Sequence, residues 1–155
     1  MKRVGFVAAL AISLAACGSS SHTSTRIVLE RSIGPVKLME KKADVERALG
    51  KGSTIHDDQH HGHEVRYSDG LDVFYAPGPN GREVVFAVLT TSSRYRTRGG
   101  VGVGSSRAAV ESLGGVHCYG PSQCQHGATG PRVPGTAFAF RNGKAWRIAI
   151  ATDFG

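Results

Sequence analysis

Apolar residues alternate along this chain more often than they spiral, and their spacing locates most of the predicted elements. Arg26-Ile27-Val28-Leu29 is the first β-prone run. A helix is predicted from Glu40 to Leu49, where Val45, Ala48 and Leu49 share one face and Gly50 supplies a stop. Residues 56 to 63 are polar and read as a loop. Val65, Tyr67, Leu71, Val73 and Tyr75 then alternate about Asp69-Gly70, a hairpin signal. After the Pro77–Gly81 loop, Glu83 to Thr91 is rich in β-branched and aromatic residues. Continued to Arg98, it completes a three-stranded meander. A short helix is predicted from Ser106 to Leu113, with Ser106 as its N-cap. A long loop runs from Gly114 to Gly135. Phe138 and Phe140 alternate into Asn142-Gly143, a type I′ turn pair, and Trp146, Ile148 and Ile150 alternate out of it.

The order of helix before strands occurs twice, which reads as an internal duplication with repeats at 26–98 and 99–155. Leu38 to Glu46 aligns with Val103 to Glu111 at a constant offset of 65, with identity at Ala, Val and Glu. The second copy carries Val103-Gly104 and a hydroxyl at Ser106; the first carries Val45 and Leu49-Gly50. These steps resemble the repeat of small envelope proteins with the fold of the β-lactamase inhibitory protein and of the outer-membrane assembly lipoprotein SmpA/OmlA. The resemblance covers roughly residues 33–152, with Met39 and Lys41 standing where that repeat has Gly and Thr. It implies an α+β fold: two tandem helix-plus-meander repeats (BLIP-like) forming one antiparallel sheet, with the helices packed on it. It also implies a habit of protein binding.

The N-terminus has a pattern of its own. Met1-Lys2-Arg3 precedes an apolar run from Val4 to Leu14, and Leu14-Ala15-Ala16-Cys17 follows. A basic start, a short apolar stretch and small residues form a secretory signal. The apolar run falls well short of the roughly 20 residues that a spanning helix needs. Leu-Ala-Ala-Cys resembles the lipobox of bacterial lipoproteins. The resemblance implies removal of residues 1–16, lipid attachment at Cys17 and a flexible tether over 17–25. The expected location is the outer face of the cell membrane, or the periplasm and outer membrane, with the lipid as membrane contact.

Charge and cysteine content refine this picture. The chain carries 19 Lys and Arg against 12 Asp and Glu, a net charge of +7. Without Lys2 and Arg3 the balance is +5. Such an excess suits anionic surfaces, and export makes nucleic acid an unsuitable partner. Cys118 and Cys124 lie in the exported part, separated by five residues that include Gly120-Pro121, and are predicted to form a structural disulfide. A redox pair would be spaced by two residues.

Four clusters could carry chemistry. His56, His60, His61 and His63 offer imidazoles for zinc or copper, although a polar, Gly-containing loop gives ligand density without fixed directions. Arg94, Arg96 and Arg98 recur at period two, which would put three guanidinium groups on one side of a strand, facing an anionic polymer or lipid headgroups. Gly99 to Gly104 has the glycines of a phosphate loop but Ser105 where its lysine belongs, so it reads as a hinge. Tyr75, Tyr95, Tyr119, Trp146 and the phenylalanines suit either an interface or a core, and the alternation of Phe138, Phe140, Trp146 and Ile148 favours the core. Ser, His and Asp occur without a nucleophile elbow. The sequence therefore predicts a non-enzymatic module that binds a protein or an envelope polymer. The alternative is a metal-binding lipoprotein using the histidines.

Overall fold

A computed structural model describes residues 24–58, 62–127 and 133–152. Strands β1 (Ile27–Val28), β2 (Ser32–Ile33) and β3 (Val36–Lys37) form a small antiparallel sheet. Helix α1 (Lys42–Leu49) leads into β4 (Ser53–Asp58), β5 (Gly62–Tyr67), β6 (Leu71–Pro77) and β7 (Glu83–Thr90). Helix α2 (Arg107–Glu111) leads into β8 (Val116–Tyr119), β9 (Gln123–His126), β10 (Gly135–Arg141) and β11 (Lys144–Ala151). These last eight strands make one antiparallel sheet in the order β4-β5-β6-β7-β11-β10-β9-β8.

The protein is therefore mainly β, and the expected α+β arrangement with helices packed as a layer on the sheet is corrected. Helix α1 has eight residues and α2 has five, and each buries a single residue, Val45 and Val110. So little apolar helix surface cannot cover eight strands. The chain supplies the difference from segments expected to be loops. Residues 56–58 and 62–63, expected to lie in a polar loop, belong instead to β4 and β5, which pair with each other. Residues 116–119 and 123–126 pair as β8 and β9 inside the expected long loop. Ser53 to His56 are all exposed, so this edge strand lacks the alternation by which a strand is recognised.

Elsewhere the alternation sets the register. Val65 faces Val73 and Tyr67 faces Leu71 across β5 and β6, and Val73 faces Val88 across β6 and β7. With Ile148, Ile150 and Phe138 these side chains form the inner face. Ile27, Ile33, Val36, Val45, Tyr95, Val101 and Val110 close over it from β1–β3, the helices and the 91–106 segment. Within this core the Tyr67 and Tyr75 hydroxyls bond to each other at 2.7 Å, so neither is left unpaired. Burial, then that bond, pushes the Tyr75 phenol far above its ordinary range.

Two short segments extend the sheet at its middle. Met39 N–H donates to the Val85 carbonyl at 2.8 Å and Val85 N–H to that of Glu40 at 2.8 Å. In the same manner Gly104 N–H donates to the Ala145 carbonyl at 2.7 Å and Ala145 N–H to that of Ser105 at 2.9 Å. The expected turn and cap are both present. Asn142 and Gly143 have φ of 52° and 71°, as a type I′ pair requires, and the Ser106 hydroxyl accepts from Ala109 N–H at 3.2 Å.

Candidate functional site

The helices and β1–β3 all send their buried residues to one side of the large sheet, and among the described residues no segment covers the other side. One register row crosses seven strands there: Arg66, Asp72, Leu89, Ala149, Ala137, Gln125 and His117. In a neighbouring row Glu64 faces Phe74 and Phe74 faces Ala87. On the other flank Arg147 faces Ala139 and Ala139 faces Gln123. The middle of this face is thus apolar, built of Phe74, Ala87, Leu89, Ala137, Ala139 and Ala149, all partly accessible. Phe86, 37% exposed, lies at a β-bulge beside them. Small side chains on the adjacent strands β10 and β11 give this surface low relief.

Charged residues edge the apolar centre. Arg66 grips Asp72 through two bonds of 2.7 and 2.8 Å. Burial, and next to it repulsion from Asp72, holds the Glu64 carboxyl above its ordinary value, against the pull of Arg66, His56 and Arg147. Trp146 occupies a second bulge, with the guanidinium groups of Arg141 and Arg147 at 4.7 and 4.9 Å from its ring. Phe138, Phe140, Tyr75 and Tyr95 are buried, whereas Tyr119 is 52% exposed. The aromatic residues thus divide between core and surface.

The structure separates the described histidines of the proposed metal cluster. His56 pairs with Glu64 and therefore lies toward the open face. His63 pairs with Tyr75, toward the inner face. The Lys42 ammonium, which can only donate, bonds His63 Nε2 at 2.9 Å, so the ring proton sits on Nδ1, facing Glu83 at 2.9 Å. Both ring nitrogens of His63 are thereby engaged. His60 and His61 lie outside the described residues, as does Cys17. The sulfurs of Cys118 and Cys124 lie near the Glu111 carboxylate, but they are joined to each other as a disulfide.

The arginine run is not the strand that period-two spacing suggested. Strand β7 ends at Thr90, whose hydroxyl bonds the Gly70 carbonyl at 2.8 Å and accepts from Ser92 N–H at 3.0 Å. Residues 91–98 then leave the large sheet, and Tyr95 turns inward to donate its hydroxyl to the Asp69 carbonyl at 3.1 Å. Arg94 stacks on Tyr95 and lies 3.7 Å from Asp69. Arg96 bonds the Gly100 carbonyl at 2.8 Å, and its backbone pairs with Thr25 and Ile27. Arg94, Arg96 and Arg98 all remain exposed.

Neither family models, nor curated proteins, nor solved structures give a match to this chain. The geometry therefore carries the functional reading. Sequence reasoning did not single out Ala87, Leu89, Ala137, Ala139 or Ala149 as residues of the open face. Its signal is present in Val73-Phe74-Tyr75 and in Val84 to Leu89, where apolar residues occupy both phases of a strand; that pattern marks a sheet apolar on two sides.

Proposed function

We propose that this chain is an exported lipoprotein, held at a membrane through Cys17, whose domain binds a protein partner through the open face of its large sheet. The observation that carries the reading is the uncovered apolar centre formed by Phe74, Ala87, Leu89, Ala137, Ala139 and Ala149. A contiguous apolar surface bordered by polar groups is characteristic of an interaction site. The border supplies the partner's chemistry: Arg141 and Arg147 present positive charge beside the apolar centre, so the partner carries an apolar patch edged with carboxylates. Support for anchoring is the Leu14-Ala15-Ala16-Cys17 motif.

The reading is tested on native membranes. Intact mass of the purified chain should place acyl groups on a new N-terminus at Cys17. On a native gel the protein should migrate above the monomer, and Leu89→Asp/Ala149→Asp should return it to monomer size with an unchanged melting temperature. A complex of undiminished size in the charged variant would remove the open face from the account.

A further inference from the structure

We propose a second contact surface, an arginine-flanked groove on the covering layer that rests against anionic lipid headgroups and sets the orientation of the domain on its membrane. The inference rests on the anchoring just proposed and adds the site and the lipid class.

The groove lies where the chain leaves its N-terminal segment and joins the fold. Arg26 and Arg98 flank it, and Val28, Leu29 and Leu113 form its floor, with no acidic residue among the described residues lining it. Val28 is 38% exposed although it is aliphatic. The backbone joins the two basic segments: Ile27 N–H donates to the Arg96 carbonyl at 2.7 Å, and Arg96 N–H to that of Thr25 at 3.1 Å. Arg26 is therefore held beside Arg96, and Arg98 lines the same groove as Arg26. The nearby acids are occupied elsewhere, Asp69 beside Arg94 and Glu30 with His126.

Chain length brings this surface to the bilayer. Seven peptide steps separate Cys17 from Ser24, so in any conformation the two lie at most about 25 Å apart. Headgroup charge acts over a Debye length of about 8 Å at physiological salt, and the chain-length bound keeps the groove near the anchored end. Guanidinium groups pair with phosphate through paired hydrogen bonds, and exposed aliphatic side chains between them suit the boundary between headgroups and acyl chains. Each arginine near an anionic leaflet strengthens the association about fivefold. The covering layer and the open face lie on opposite sides of the large sheet. A bilayer held at the groove consequently leaves the open face turned away from the membrane and free to bind.

The test uses the full processed protein with an environment-sensitive fluorescent side chain in place of Val28 and, separately, in place of Leu89. Vesicles are phosphatidylcholine alone or phosphatidylcholine with phosphatidylglycerol. Position 28 should shift to the blue only on the anionic vesicles, the shift should disappear in high salt, and position 89 should not respond. Arg26→Gln/Arg98→Gln should weaken the salt-sensitive association about 25-fold. Equal spectra at position 28 on both vesicle types, or a shift at position 89 instead, would overturn the proposal. Mass spectrometry at Cys17 reads the anchoring separately. If Cys17 carries no lipid, anchoring fails, while the comparison at excess vesicles still decides the groove.

Discussion

Met39 and Gly104 occupy equivalent places, each donating its N–H to a central strand just before a helix, and each has positive φ, 62° and 90°. Glycine takes that conformation freely, whereas an L-residue with a side chain is strained there by about 1–2 kcal/mol. Met39 is 52% exposed, so its side chain recovers little of that by packing. Met39→Gly should therefore raise stability by about 0.5–1 kcal/mol, the relief of strain being partly offset by the greater freedom of glycine in the unfolded chain. Urea unfolding of the variant checks this, and a lower midpoint would mean that the methionine packs better than its exposure suggests. The sequence already marks Met39 as the residue standing where its counterpart has glycine, but the backbone geometry that gives the difference a sign lies only in the fold. Ser106, Asn142 and Gly143 were legible because capping and turn formation depend on neighbours a few residues away.

At the scale of elements, legibility followed burial. Strands β5, β6, β10 and β11 have one face in the core, so Val65, Tyr67, Leu71, Val73, Phe138, Ile148 and Ile150 announce them by alternation. Edge strand β4 exposes Ser53 to His56 and shows no such pattern. Strands β8 and β9 hide in a stretch rich in Gly, Ser and His, where the cysteines were the readable sign. The disulfide is present and joins directly opposed residues, Cys118 and Cys124, of these two strands. Closing so short a loop stabilises by about 2–2.5 kcal/mol in the chain-entropy model. Cys118→Ala/Cys124→Ala should lower the unfolding free energy by that amount, measured in urea against the oxidised wild type, and the addition of reductant should then have no further effect. The fold class misleads at this same scale: two helix signals suggest a layer, yet helices of eight and five residues bury only Val45 and Val110. Of the four histidines, strand alternation sends the two described ones, His56 and His63, to opposite sides of the sheet, and His60 and His61 lie outside the described residues.

Viewed whole, the molecule has two unlike surfaces on either side of one core. The covering layer carries Arg26, Arg96 and Arg98 close to the start of the fold. The opposite surface is a sheet face with a flat apolar centre and a charged border. In the account proposed, the first meets the lipid and the second meets a protein, so that the tether, the groove and the sheet act in sequence from the membrane outward. The open face could be read from sequence only by noticing that Phe74 and Leu89 break the inward phase. That the face stays uncovered depends on where β1–β3 and the helices pack, which no local pattern encodes.

In-cell photo-crosslinking tests the open face, with a photoreactive side chain replacing Leu89 or Ala149 and, as a control, Val28 on the covering layer. One discrete adduct with the same second protein should form from both open-face positions, and none with that protein from position 28. No adduct at positions 89 and 149, or the same adduct from position 28, would rule out the open face as the contact surface.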